Sequence, residues 1–425
     1  MIRLTAAMAA ALPIIERLDG AGHEAVFVGG AVRDAVLGIP VKDVDIATSA
    51  KPEQVLEMFP RCIPTGLQHG TVTVIHGGTP YEVTTYRKES TYESHRKPSA
   101  VSFLTDLDGD LLRRDFTVNA MAVRLDGRVY DPYGGLEDLK RGLLRCVGNA
   151  NERFQEDALR MVRAVRFIGM YGLRPATSAW RALLAHRELL RHVAMERIQA
   201  ELDKMLASVQ PARCMAWLYA SGLLWHTKIP IEAPATAIDL SGLDTIEQLE
   251  DRWAFLAIAS GVGADKAQQI LEALRLSNKR MQTILSIVRV QDELSDGWTN
   301  KLEDREQDIR WTSLFLRLGV SASSSWLRIA RALGADSEAE DILRERLLRF
   351  ERLMNESPIY SVKELDLNGA QLATALQREA GPWLKDYLER MLLEVALGRL
   401  ANTKEALALQ AAAWNAEERG SKKNE

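Results

Sequence analysis

Apolar and polar residues change rhythm partway along this chain. Up to about residue 150, short apolar runs alternate with turn residues. Residues 25–28 (AVFV), 44–47 (VDIA), 71–76 (TVTVIH), 81–86 (YEVTTY) and 116–123 (FTVNAMAV) each predict a strand. The GGTP at 77–80 predicts a hairpin turn between two of them. The opening MIRLTAAMAAALPIIERLDG predicts a first helix, and residues 31–37 and 52–59 predict two more.

Beyond residue 150 the strand signal fades and helical periods take over, as in ALRMVRAVRFIGMYG and WLRIARALGADSEAEDILRERLLRFERLM. All nine tryptophans lie in this part. The proline-bearing KIPIEAP at 228–234 suggests a further division, and the closing ERGSKKNE reads as a frayed tail. The pattern predicts an α+β part over residues 1–150, then helical parts over 151–230 and 231–425.

Composition narrows this picture. A chain of 425 residues is too long for one ordinary core. With 47% apolar and 26% charged residues it has a globular balance. A net charge of -4 gives no global basic field, so any nucleic-acid contact must be a local patch. One such candidate is LRLSNKRMQTILSIVRV, with Arg275, Lys279, Arg280 and Arg289, which equally suits a solvated helix face. Cys62, Cys146 and Cys214 form no CxxC pair, which suits a reducing compartment and no zinc site. No stretch approaches the roughly 20 apolar residues of a membrane span. The expectation is a cytoplasmic protein with no membrane and no obligate protein partner.

The polar residues of GGAVRDAVLGIPVKDVDIATSA, residues 29–50, follow a particular order. Asp43 and Asp45 are two apart, so on a strand they share a face with Cα atoms roughly 6.6 Å apart. Two carboxylates so placed repel unless cations lie between them, and paired divalent ions roughly 3.5–4 Å apart serve phosphoryl and nucleotidyl transfer. A polar strand end is the plainer alternative. Gly29 and Gly30 join a strand to a helix, which lets backbone approach a phosphate at the helix N-terminus. Arg33, one turn in, is placed to donate to a phosphate oxygen, while Asp34 is placed to hold Arg33 or a neighbouring loop. The spacing is neither GxGxxG nor a P-loop, which excludes a Rossmann dehydrogenase.

The order of strand, glycine pair, helix with arginine and DxD resembles the nucleotidyltransferase superfamily of the DNA polymerase β type. More narrowly it resembles the head signature of class II CCA-adding enzymes (tRNA nucleotidyltransferases) and of bacterial poly(A) polymerases. The resemblance implies a polymerase-β-like head, a small mixed sheet with helices, followed by an all-α neck, body and tail. It implies Mg2+ held by Asp43 and Asp45, with Gly29, Gly30 and Arg33 on the triphosphate. GLQHGTV at 66–72 is similar to CCA-adding members from Gram-positive bacteria.

Two further motifs continue the likeness. GDLLRRDFTVNAMAV, residues 109–123, carries Arg113-Arg114-Asp115, which could cover a nucleotide or form an ion-pair staple. In the resembled family RRDFTxNA is a second signature, and Arg114 falls on its nucleotide-contacting arginine. In NERFQEDALRMVRAVRFIGMYGL, Arg160, Arg163 and Arg166 share one arc of a helix, with Asp157 one turn before Arg160. Unaccompanied, such arginines repel by roughly 0.2–0.5 kcal/mol per pair, which an anionic or planar partner would offset. An Asp–Arg pair can accept from the exocyclic amine of cytosine or adenine and donate to its ring acceptor, excluding guanine and uracil. The EDxxR at 156–160 resembles the family's base-selecting motif, which implies that Asp157 and Arg160 select the base and Arg163 and Arg166 complete the pocket.

The implied reaction is template-independent addition of C, C and A from CTP and ATP to the 3′ end of tRNA, with the acceptor arm held by the helical remainder. Enzymes adding only A, and poly(A) polymerases, carry the same motifs. The loop at 86–103, YRKESTYESHRKPSAVSF, corresponds to a segment that the family needs for A addition. No His-Asp doublet marks an appended phosphohydrolase. A non-catalytic RNA-binding module is the alternative of a different class. Glu82, on a hairpin strand, is a possible third carboxylate.

Overall fold

Thr5 begins the first helix, α1 (Ala6–Gly20), by accepting the Met8 amide on its hydroxyl at 3.3 Å. Met8, Ala11, Ile14, Ile15 and Leu18 then bury one face of it. The computed structural model describes residues 1–89, 92–93, 97–98, 101–232, 238–295, 303–334 and 340–421. The chain divides into two compact units, residues 1–233 with 273–275, and 234–272 with 276–425.

In the first unit a seven-stranded mixed sheet is built from β1 (Ala25–Val28), β2 (Asp45–Thr48), β3 (Cys62–Gly66), β4 (Thr71–His76), β5 (Thr79–Thr85), β6 (Ala122–Val123) and β7 (Val129–Tyr130). Its order is β7-β6-β1-β2-β5-β4-β3. Only the central β2–β5 pair is parallel; β1 runs antiparallel to β2. The β4–β5 hairpin turns at Gly77 and Gly78, whose φ of 57° and 82° suit a primed turn. Val26, Val28, Ala47 and Ala122 of the sheet pack with Tyr86, Leu107 and Leu111 in a buried cluster.

Helices α2 (Gly30–Leu37) and α3 (Pro52–Met58) follow β1 and β2, and α4 (Leu107–Leu112) precedes the arginine pair. After α5 (Gly135–Lys140) the unit is helical: α6 (Ala150–Glu156), α7 (Leu159–Tyr171), α8 (Thr177–His186), α9 (Met195–Leu206) and α10 (Pro211–Ser221). The described residues of the second unit are helical throughout and include a core of Leu372, Tyr387, Met391, Val395, Leu407, Ala411 and Trp414. The expected α+β head and all-α remainder are both present.

Three expectations change. Residues 116–123 do not form one strand: Thr117–Asn119 is a 3₁₀ turn, and only Ala122–Val123 joins the sheet. The cause is local, because Asp115 Oδ1 accepts from the Phe116 amide at 2.8 Å and from Asn119 Nδ2 at 3.1 Å, tightening the backbone there. The helix expected through Asp157 is broken at that residue, which takes φ -139° between α6 and α7. The closing segment is helical through Ser421, at the end of the helix Lys404–Ser421, and residues 422–425 of the expected tail lie outside the described residues. Much of the 86–103 loop lies outside the described residues, and its described ends form a ladder between Arg87–Glu89 and Val101–Phe103.

Candidate active site

The strand-to-helix turn after β1 sets the position of everything else. Gly29, at φ 70°, ends β1, and a Cβ built on it would meet Arg114 Nη1 at 3.0 Å and Asp45 Oδ2 at 3.5 Å. The backbone is therefore packed between a cation and a carboxylate at a conformation that favours glycine. Register places Val28 opposite Asp45, and Asp45 opposite Glu82 on the parallel neighbour β5. Asp43 is exposed and precedes β2, so a shared strand face does not explain the pair. The short loop before β2 instead brings Asp43 to the same cavity as Asp45.

That cavity, about 1180 Å³, lies wholly within the first unit. Gly29, Gly30, Arg33, Asp43, Asp45, Arg114, Asp157, Arg160, Arg163 and Arg166 all line it, so the residues singled out in the sequence converge on one place. Burial raises the Asp45 pKa, and Glu82 and Asp43 add to the rise against the opposing charge of Arg114. An all-oxygen cluster whose members repel one another fits a hard divalent cation. Among the described residues no group of three or more His, Cys, Asp or Glu forms a complete metal cage. A hard divalent cation can bind through one or two carboxylates plus substrate phosphates, which two aspartates at an open cavity can supply.

The arginines are held by acids of their own chain. Asp110, buried at the end of α4, accepts from Arg113 Nη2 at 2.7 Å and from Arg114 Nη2 at 3.1 Å. Along α7 the expectation of unaccompanied guanidiniums is corrected. Arg160 Nη1 donates to Glu156 at 2.5 Å, Arg163 Nε to Asp115 at 2.8 Å, and Arg166 Nε to Glu201 on α9 at 2.6 Å. Arg160 and Arg166 are only 7% and 8% exposed, so paired acids are what make their burial tolerable. Burial opposes the charge of Asp115, yet Arg163, Asn119 and Arg160 override it and hold its carboxyl at about 2. Burial pulls Arg166 below the usual guanidinium range while Glu201 opposes it.

Asp157 and Arg160 are fixed separately. Asp157 Oδ1 accepts the Leu159 amide at 3.1 Å, starting α7, and Oδ2 accepts from Arg197 of α9 at 2.7 Å. Arg160 Nη2 donates to the Arg113 carbonyl at 3.0 Å, so the base-reading candidates are tied to the RRD segment. Arg33 reaches Asn119 Oδ1 at 2.6 Å and Asp34 Oδ1 at 2.9 Å, which links α2 to the same segment. Sequence reasoning passed over Asn119, Asp115, Glu201 and Arg197 as site residues. Asn119 and Asp115 stood in the quoted RRDFTVNA, whereas Glu201 and Arg197 lie on a different helix with nothing local to mark them.

A strand-glycine-helix turn beside two aspartates, facing an arginine-lined cavity, defines a nucleotidyltransferase head. The family profile described as Poly A polymerase head domain matches residues 25–145, and that of tRNA nucleotidyltransferase domain 2 matches residues 244–411. The chain is 39% identical to the CCA-adding enzyme of Geobacillus thermodenitrificans over 93% of its length and 95% of the relative's. It is 36% identical to that of Bacillus cytotoxicus, again over 93% and 95%. The crystal structure of the Bacillus stearothermophilus CCA-adding enzyme in complex with CTP superposes with a TM-score of 0.82 at 33% identity, covering 98% of this chain and 100% of that one. The chain belongs to the CCA-adding enzyme family. Its activity is that of a nucleotidyltransferase, a class that uses divalent metal. Among the described residues no helix is long and apolar enough to cross a membrane.

Proposed function

We propose that this cavity completes the 3′ end of tRNA with C, C and A taken from CTP and ATP, with Asp43 and Asp45 holding Mg2+ at the triphosphate. The observation that carries the reading is the convergence of both aspartates, Gly29-Gly30 and the Asp157–Arg160 group on one cavity. Bound divalent ions supply activation of the attacking 3′-hydroxyl and neutralisation of the departing pyrophosphate. The chain's own residues do the rest. Gly29 and Gly30 bring backbone N–H groups to the phosphates, with Arg33 and Arg114 on either side.

Asp157 accepts from the exocyclic amine of cytosine or adenine, and Arg160 donates to the ring acceptor. Guanine and uracil place a carbonyl where that amine would be, so they set acceptor against acceptor. Each well-formed contact is worth about 1–3 kcal/mol of discrimination. Arg163 and Arg166 line the remaining wall, neutralised by Asp115 and Glu201 until nucleotide arrives. The helical second unit grips the acceptor arm through shape and backbone contacts, which suits a protein accepting every tRNA. The reduced cysteines fit work in the cytoplasm.

The test supplies purified protein with tRNA lacking all three terminal nucleotides, and with tRNA ending in CC, each with one labelled triphosphate at a time. C addition to the first and A addition to the second are expected, with neither G nor U incorporated. Incorporation of A alone, only on the CC end, would show an A-adding enzyme instead. Replacing Asp43 and Asp45 by alanine should abolish incorporation and leave tRNA affinity intact. A binding module without catalysis would show no incorporation from the start.

A further inference from the structure

We propose that Tyr171 is a positioning residue for Arg33, so that one helix, α7, aligns both ends of the incoming nucleotide. The inference rests on the reading above that Arg33 serves the triphosphate and Arg160 the base. Tyr171 is the last residue of α7 and lines the cavity. Its hydroxyl accepts from Arg33 Nη2 at 2.5 Å, and its ring centroid lies 4.3 Å from the Arg33 guanidinium carbon. Phe167, one turn earlier, places its ring 5.1 Å from the same carbon and stacks on Tyr171 at 6.0 Å.

The guanidinium thus has a protein group at every nitrogen: Asp34 at Nε, Asn119 at Nη1, and Tyr171 at Nη2. Arg33 is 5% exposed, so its orientation is set before any nucleotide arrives. Burial raises the Tyr171 pKa above the ordinary phenol value, with Asp34 adding to the rise against Arg33. The hydroxyl stays protonated and serves Arg33 as an acceptor.

Arg160 stands near the other end of the helix, eleven residues away, or roughly 16 Å along the axis. A rigid helix fixes that span. The triphosphate seat and the base reader are gauged against one another through it, and a shift of α7 moves both. Nothing in the sequence pattern separates Tyr171 from the other residues of an amphipathic helix.

The test is Tyr171→Phe, which keeps the ring and deletes only the hydroxyl, assayed beside the wild type on tRNA acceptors lacking C or A. A hydrogen bond to a charged group supports roughly a tenfold effect. KM for CTP and for ATP should rise together by about that factor. The kcat, the thermal midpoint and the preference for C and A over U and G should match the wild type. Inorganic pyrophosphate, which carries no base, should inhibit the variant more weakly by a similar factor. An unchanged KM and unchanged pyrophosphate inhibition would overturn the assignment, as would unequal changes for CTP and ATP. Wild-type incorporation with an indifferent variant sinks only the Tyr171–Arg33 link, whereas a wild type that adds neither nucleotide sinks the reading beneath it as well.

Discussion

Arg197 reaches from α9 to Asp157 at the start of α7, with Nη2 2.7 Å from Oδ2. The Leu159 amide holds the other oxygen at 3.1 Å. Between them the two donors fix the plane of the carboxylate, so its remaining lone pairs point in set directions. A base edge is read by direction as much as by charge.

Arg197→Met should therefore loosen base choice more than it slows addition. The ratio of kcat/KM for CTP over UTP is expected to fall by roughly tenfold or more, corresponding to one base contact of about 1–3 kcal/mol. Arg197→Lys should keep part of it, since a point charge attracts the carboxylate without the guanidinium's planar geometry. Steady-state kinetics with all four triphosphates decides this, and an unaltered ratio in the methionine variant would tell against the role.

Gly29 and Gly38 both sit at φ 70°, but only Gly29 has neighbours that a Cβ would meet, whereas Gly38 has none within 4 Å. Alanine costs roughly 1 kcal/mol of backbone strain at Gly38, a left-handed residue with ψ 19°, and more at Gly29, whose ψ of -133° lies where essentially only glycine goes. Only Gly29→Ala also crowds the Arg114 guanidinium beside Asp45, so only it should reduce incorporation, by about tenfold or more. Comparing the two variants in melting and in activity separates strain from site damage. Equal activity loss in both would remove the special role of Gly29.

Asp115 sets a pH window. Its carboxyl titrates at about 2 in the folded chain against an ordinary value of 3.8. A depressed carboxylate stabilises the fold above the unfolded value, and that contribution is lost as pH falls from about 4 towards 2. The difference amounts to about 2 kcal/mol. Thermal midpoints measured at pH 5 and pH 2.5 should lie closer together in Asp115→Asn than in the wild type. A gap as wide as the wild type's would mean Asp115 is not the group titrating.

Glu201 is the shared carboxylate of Arg166 at 2.6 Å and Lys204 at 3.0 Å, and it is buried. Glu201→Gln leaves a buried guanidinium without its charge partner, with an expected cost of about 3 kcal/mol. Adding Arg166→Met should recover part of the lost thermal stability, because no orphaned charge remains. Additive losses in the double variant would show that the two residues do not act as a pair.

The parts of the fold that were legible in the sequence had local causes. Strand β1 follows from a continuous apolar run, β4 and β5 from apolar alternation, and the turn between those two from Gly77-Gly78. Residues 116–123 misled because Asp115 and Asn119 compete for the backbone through their side chains, which hydrophobic pattern does not register. The helix break at Asp157 was hidden for the same reason, since its carboxylate caps α7 instead of lying along it. Asp43, Asp45, Arg114, Asp157 and Arg160 were visible as motif residues, because the order of the motifs that hold them resembles the family's signatures. Their supports, Arg197 and Glu201 on α9, were invisible, because the pairing spans about 35 to 40 positions and is made only by packing.

The acids paired along α7 bear on what kinds of molecule can occupy the pocket. Since Arg160, Arg163 and Arg166 carry their counter-ions within the chain, an unattached sulfate or polyphosphate finds little bare charge there to attract it. On the proposed reading of Asp157 and Arg160 as base contacts, affinity at that end comes from the angles of individual bonds, which an uncharged cytosine mimic can satisfy as well as a nucleotide can. Inhibitors aimed at that proposed base-reading wall would need no anionic group at all.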